Sequence, residues 1–177
     1  KIFSSDEELQ WFYKNICTSE WNEEQDAGRP LKEGTDLLIK QFPDQEENIR
    51  AFYDRWEEML GGPIHGTLEV FRELKEKPAV KTYALTNWSA ETFPVALSRY
   101  DFLHWFNGRV VSGEEKTRKP FSEIYETLIN RFEIDPSTAI YTDDNIRNLH
   151  PAKELGFTTI HFQSPAQFEC LARRAAK

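Results

Sequence analysis

The chain has 177 residues, enough for one domain with a small appendage, and its 14% aromatic content, with 13 Phe and 5 Trp, argues against disorder. A net charge of −8, with no Lys/Arg run longer than two, makes nucleic acid and anionic membranes poor partners. No apolar stretch approaches the ~18 residues of a membrane span, and Cys17 and Cys170 form no CxxC motif, so buried free thiols in a reducing, cytoplasmic setting are expected.

In chain order, Ser5-Asp6-Glu7-Glu8 is a capping box, followed at helical spacing by Leu9, Phe12, Tyr13, Ile16 and Cys17. Ser19 is placed to cap a short helix carrying Trp21 and ending near Gly28. A third helix is predicted over 30–43, with Leu31, Leu38 and Phe42 on one side. A fourth starts near Asp44, shows Ile49, Phe52, Tyr53, Trp56 and Leu60 on one face, and is closed by Gly61-Gly62. Residues 1–62 thus read as an all-helical unit.

After Pro63 the pattern changes. A helix carries Ile64, Leu68, Phe71 and Leu74. Strands are predicted over 80–86, 109–112, 138–142 and 158–162, separated by helices over 90–99, 121–132 and 146–155. Ser164-Pro165-Ala166-Gln167 caps a last helix with Phe168, Leu171 and Ala175. Such alternation means an α/β unit over 63–177, a parallel sheet with right-handed crossovers, hinged to the helical unit near 60–63.

Three strand ends carry candidate chemistry, because ligands bind at the carboxyl ends of parallel strands. Thr86-Asn87-Trp88-Ser89 offers a hydroxyl and a run of amides suited to an anion, or ordinary helix capping. Lys116, Arg118 and Lys119 form a cationic loop before Pro120, which biases Lys119 towards an extended backbone. Asp143 and Asp144 end the third strand. Two carboxylates ~4 Å apart repel by roughly 4 kcal/mol at an effective dielectric of ~20. A lysine, a shared proton or a divalent cation offsets that, and Mg²⁺ favours such oxygen ligands. Turn and cap chemistry is the alternative for this acidic pair. His65, His104, His150 and His161 lack metal-ligand spacing and are expected to be structural or exposed.

Taken together, Thr86-Asn87, Lys119-Pro120 and Thr142-Asp143-Asp144-x-x-x-Asn148 resemble motifs two, three and four of the haloacid dehalogenase-like (HAD) hydrolase superfamily, and the helical block resembles its helical cap. The resemblance implies a Rossmann-like sheet sandwiched by helices, with an all-helical cap. It implies a Mg²⁺-dependent phosphomonoesterase for a small phosphorylated metabolite, acting as a monomer or homodimer. It implies Asp144 as a metal ligand, Asp143 as a ligand directly or through water, and Asn148 as an orienting residue behind them. Thr86 and Asn87 would hold the phosphoryl group and Lys119 would orient the nucleophile. Arg29, Trp21, Gln25 and Trp56 are candidates for the cap's substrate face, with packing the alternative for the two Trp residues.

The first family motif, a strand ending in the nucleophilic Asp, has no counterpart: Asp6, Asp26, Asp36, Asp44 and Asp54 all sit in helical or cap contexts. The sequence opens on Lys1 and its only Met is Met59. The nucleophile is therefore expected upstream, on a central strand between 81–86 and 138–142, and the 177 residues alone are expected to be inactive. A 2-haloacid dehalogenase, which resembles Ser/Asn-containing sequences at the acidic pair, and a non-catalytic relative are the rival expectations.

Overall fold

The computed structural model describes residues 2–175, with side chains through residue 170. Leu171 and Ala175, assigned above to the last helix, fall outside the described side chains. Helix α1 (Asp6–Asn15) begins as the capping box requires: the Ser5 hydroxyl accepts from the Glu8 amide at 3.2 Å. The returning arm differs by one residue, since Glu8 Oε2 accepts from the Ser4 amide at 2.8 Å. Helix α2 (Ser19–Asp26) is capped by Thr18 rather than Ser19, because the Thr18 hydroxyl is the one that reaches the Trp21 amide, 3.2 Å away.

Helices α3 (Leu31–Gln41) and α4 (Glu46–Asp54) complete the group, and a 3₁₀ turn over Trp56–Met59 follows. The predicted continuous fourth helix is thus two pieces. Apolar spacing does not separate 3.6 from 3.0 residues per turn over so few residues. Phe12, Ile16, Cys17, Leu38 and Ile49 form the buried core of this unit, with Tyr13, Trp21 and Phe52 packed against it. Trp21 meets Phe52 edge-on at 5.3 Å and donates its indole N–H to the Gly34 carbonyl at 3.0 Å. At Gly34 a Cβ would stand 2.5 Å from Gln25 Oε1, so only glycine lets α3 lie this close to α2.

The remaining elements are α5 (His65–Lys75), β1 (Tyr83–Thr86), α6 (Phe93–Arg99), β2 (Gly108–Val111), α7 (Ser112–Glu115), α8 (Ser122–Phe132), β3 (Ile140–Asp143), α9 (Leu149–Glu154), β4 (Thr158–His161) and α10 (Pro165–Ala175). The four strands make two parallel pairs, β1 with β2 and β3 with β4. Thr86 stands opposite Val111 and Asp143 opposite His161. Among the described residues no ladder joins β1 to β3.

One core holds the two pairs together. Val110 of β2, Ile124, Tyr125 and Leu128 of α8, Tyr141 of β3, and Phe157 are buried in contact, with Leu85 of β1 against them. Burying each such side chain stabilises the fold by roughly 1.5–3 kcal/mol. Helix α8 therefore ties both strand pairs to the loop that precedes it, residues 116–121. Cys17 is buried, and burial pushes its thiol up to about 12. Cys170 is exposed, contrary to expectation; it lies two helical positions past the inward-facing Phe168, which is about 200° round α10. No described helix is long and apolar enough to cross a membrane.

Candidate functional site

Tyr141 and Asp143 lie on the same face of β3, since side chains alternate along a strand. Both point into the core, and Asp143 is the last strand residue. Its carboxylate receives four donors. Lys119 Nζ lies 2.7 Å from Oδ2 and the Tyr141 hydroxyl 2.9 Å from the same atom. The Asn145 amide donates to Oδ1 at 2.9 Å and Asn148 Nδ2 at 3.0 Å. The pair is well buried, with 12% of the Lys119 side chain and 4% of the Asp143 side chain exposed.

Burial by itself would raise the Asp143 carboxyl; the Lys119 charge, its hydrogen bond and the two Asn-derived donors overcome that and hold it below its ordinary value. Burial first, and the Asp143 charge second, push the Tyr141 hydroxyl well above the usual phenol range, so it stays a donor. Asn148 is fixed in turn by Tyr125, whose hydroxyl donates to the Asn148 carbonyl at 2.7 Å. Asn148 Oδ1 is buried with no donor among the described residues.

The capping alternative raised for this stretch is realised beside the ion pair. Asn145 Oδ1 accepts from the Arg147 amide at 3.1 Å and starts the 3₁₀ turn Ile146–Asn148. Asp144 is the contrast: its side chain is exposed and makes no hydrogen bond or ion pair among the described residues, while its carbonyl lies 2.9 Å from His161 Nε2. His65, His104 and His150 are exposed and His161 half-buried.

Lys119 is positioned by Asn87, one residue past β1. Asn87 Nδ2 donates to the Lys119 carbonyl at 3.0 Å, and the Lys119 amide donates to Asn87 Oδ1 at 2.8 Å. The Asn87 side chain is thus a peptide mimic bracing the lysine loop, not a helix cap. The helix after β1 begins only at Phe93, so residues 87–92 are loop. The Trp88 amide is spent on the Ser112 hydroxyl at 2.8 Å, and the Gly113 amide donates to the Trp88 carbonyl at 3.1 Å. Thr86, half-buried at the end of β1, has no side-chain hydrogen bond among the described residues.

At Gly113 a Cβ would come within 2.3 Å of the Ala90 amide nitrogen and 2.8 Å of the Trp88 carbonyl, both backbone atoms that cannot swing aside. Gly113→Ala is expected to cost about 2–3 kcal/mol as overpacking, read as a fall of roughly 4–12 °C in Tm. An unchanged melt would mean the strand-end loops are not locked here.

Residues from the helical unit reach the same end of the α/β unit. Glu23 of α2 pairs with Arg118 at 2.9 Å and also with Arg147. Trp56 meets Trp88 at 6.0 Å. The Leu31 amide donates to Glu91 Oε1 at 2.7 Å. Trp21 and Gln25 are core residues of the helical unit, Gln25 being fully buried. Arg29 is half-buried and donates to Gln25 Oε1 at 2.6 Å and to the Trp21 carbonyl at 3.2 Å.

Asp26, on α2, is desolvated and faces Glu23; these outweigh Arg118 and the Ser89 amide and raise its carboxyl to about 6. The folded chain then holds a proton that the unfolded chain, with a carboxyl near 3.8, releases. Stability from this group is present below pH ~4 and declines as pH rises to ~6, by at most about 3 kcal/mol. Asp26→Asn is expected to remove that decline, so its Tm exceeds that of the unsubstituted protein at pH 7–8 and the gap closes by pH 4. A gap that stays constant with pH would show that Asp26 does not titrate in this window.

The donor set suits a hard cation. Asp144 offers a carboxylate in water, and Asp143 holds further oxygens beside it, already shared among four donors. The described residues contain no cluster of three or more His, Cys, Asp or Glu, and Mg²⁺ is usually held by one or two carboxylates with waters and phosphate oxygens. A cavity of about 250 Å³ elsewhere, lined by Phe3, Leu9, Tyr13, Phe52 and Met59, includes none of these residues.

The family model for haloacid dehalogenase-like hydrolases matches residues 13–162, most of the chain and all of the site. The chain belongs to that family. A sesquiterpene phosphatase, AstK of Aspergillus oryzae, is 29% identical over 92 residues, which are 52% of this chain and 46% of that protein, so the match spans under half of the relative's length. Among solved structures, a HAD family enzyme of Bacteroides thetaiotaomicron in a magnesium complex superposes with TM-score 0.72 at 21% identity, covering 93% of this chain and 86% of that one. The same enzyme bound to magnesium and inorganic phosphate gives TM-score 0.65 at 20% identity, covering 88% and 83%. A predicted HAD-like family hydrolase of Porphyromonas gingivalis gives 0.68 at 16%, covering 96% and 89%. At these identities the likeness establishes a shared fold.

In this HAD-family chain the structure gathers Asn87, Lys119, Asp143 and Asn148 into one hydrogen-bonded group, with Thr86 and Asp144 at the ends of the strands that carry it. Sequence reasoning missed Tyr141, although its two-residue offset from Asp143 put it on the same face. It also missed Ser112, Glu23 and Arg147, whose partners are distant in sequence and left no local signal.

Proposed function

We propose that the protein is a phosphomonoesterase acting on a small phosphorylated metabolite, dependent on Mg²⁺. One observation carries this reading. Lys119 neutralises Asp143, and the Asp144 carboxylate beside it is exposed and uncommitted at a strand terminus. A bound Mg²⁺ would supply charge neutralisation for the phosphoryl oxygens. Asp144 is the residue that would hold it directly, with Asp143 behind it. Asn148 and Tyr141 keep the Asp143 carboxylate from rotating, through the bonds described above. Thr86 offers its free hydroxyl to a phosphoryl oxygen, beside the Asn87 amide. Lys119, fixed by Asn87, orients the attacking group and offsets its charge.

That attacking group is an aspartate on a further strand between β1 and β3, forming an aspartyl-phosphate. What supports its placement is that β1 and β3 are not laddered to each other, although Asn87, Lys119 and Asp143 join their ends. The 177 residues alone would then not turn over substrate. Residues 1–62 act as a cap over 63–177, hinged at 60–63, where a Cβ on Gly61 or Gly62 would meet nothing within 4 Å. Arg29 and Trp56 are the cap residues that would meet the leaving group. A cytoplasmic location accords with an exposed free thiol at Cys170.

The acidic pair favours this reading over a dehalogenase, since a carboxylate attacking carbon needs no cation. The phosphatase activity of the Aspergillus relative points the same way. The test uses the protein with its nucleophile-bearing strand, assayed on p-nitrophenyl phosphate with and without Mg²⁺, and on 2-chloropropionate. Phosphate release only with Mg²⁺ is expected; chloride release without phosphate release would replace the reading with the dehalogenase.

A further inference from the structure

The two arginines beside the site have no role in the reading above. Arg118 immediately precedes Lys119, and Arg147 follows the Asp143-Asp144 pair within the same loop. Both guanidiniums converge on one carboxylate: Glu23 Oε2 takes Arg118 at 2.9 Å and Glu23 Oε1 takes Arg147. Arg118 is fixed independently. It donates to the Lys119 carbonyl at 3.3 Å and lies over the Phe121 ring, 5.2 Å from its centre. The side chains of Arg118 and Glu23 are only 14% and 17% exposed, so the contact is largely out of water, while Arg147 is 46% exposed and reachable from solvent.

We propose that Arg118 and Arg147 form a second anion subsite, which Glu23 fills when no substrate is bound, and that the preferred substrate is a phosphate ester carrying a second oxyanion. This rests on the phosphatase reading and deepens it. Glu23 demonstrates that one planar oxyanion can bridge both guanidiniums, the geometry that arginine favours for carboxylate and phosphate. Asp26 also lies near Arg118 and Glu20 near Arg147, so an incoming oxyanion exchanges for Glu23 rather than adding to it. Glu23 is not needed to dock α2. The Leu31 amide on Glu91 and the close packing of Gly28 against the Gly113 carbonyl hold that end of the helical unit without it. A substrate oxyanion can therefore displace Glu23 with the helix still in place.

The test is calorimetric binding of two stable probes in the presence of Mg²⁺, so that no turnover is required. Methylphosphonate carries the phosphoryl mimic alone; phosphonoacetate adds a carboxylate. Glu23→Gln removes the internal competitor and is expected to bind phosphonoacetate about tenfold more tightly relative to methylphosphonate than the unsubstituted protein does. Arg147→Gln, at an exposed position, is expected to lose most of the preference for phosphonoacetate while methylphosphonate binding holds. If methylphosphonate binds and neither substitution changes the ratio, the subsite is wrong and the phosphoryl site stands. If Glu23→Gln weakens both probes equally, Glu23 is a docking latch and the proposal is overturned. If methylphosphonate binds no form of the protein, the phosphoryl site falls and the subsite with it.

Discussion

Lys119→Met is expected to lower stability by about 3–5 kcal/mol, because it leaves the Asp143 carboxylate buried without its cation. That corresponds to a fall of roughly 6–20 °C in Tm at neutral pH. The sign of its pH dependence is fixed by Asp143, whose folded carboxyl is held below its ordinary value partly by Lys119. The pair's stabilisation is present above that ordinary value and is lost as pH falls through the depressed one. The difference in Tm between the two proteins should therefore be greatest near pH 7 and shrink in acid. A second variant separates charge from shape. Lys119→Met with Asp143→Asn removes both charges and keeps an acceptor for Tyr141 and the Asn145 amide. It should recover most of the lost stability and, in the protein with its nucleophile-bearing strand, none of the proposed phosphate release. A double variant no more stable than Lys119→Met would show that packing, not the unpaired charge, set the cost.

Asp144→Asn is expected to do the reverse. The side chain is exposed and uncommitted, so its loss should move Tm by no more than the ~0.5 kcal/mol of an ordinary surface change. Mg²⁺ should raise the Tm of the unsubstituted protein by mass action and leave that of Asp144→Asn unmoved. In the protein with its nucleophile-bearing strand, phosphate release should fall by about 100-fold or more, roughly 2.7 kcal/mol of transition-state stabilisation. An unaltered Mg²⁺ response would transfer the ligand role to another oxygen. Paired with the lysine variant, this separates the residue that builds the site from the residue proposed to hold the cation, although the two acids are adjacent in sequence.

The resemblance was legible because Thr86-Asn87 and the Asp143–Asn148 stretch each sit at the end of an apolar run, and runs report strands; Lys119-Pro120 was found by its residue types in the loop between them. The switch from helix-only to alternating elements after Gly61-Gly62 was legible for the same reason. Strand ends were less so: the predicted strand over 80–86 narrows to Tyr83–Thr86, where pairing with β2 begins. Local sequence does not contain its partner's register.

The roles inside the site divide in the same way. Adjacent acids announced a charge problem, but nothing local said that Asp143 would take the lysine and Asp144 the water. That was decided by strand alternation at the rim of a packed core, which turns Asp143 inward beside Tyr141 and Asp144 outward. The Asn87 brace on Lys119, across 32 residues, and the Glu23 bridge to Arg147, across 124, were likewise settled only by chain packing. Periodicity and motif order gave this protein its elements and its chemistry-bearing residue types. Which donor met which acceptor depended on burial, since a charge removed from water must find a partner wherever the fold brings one.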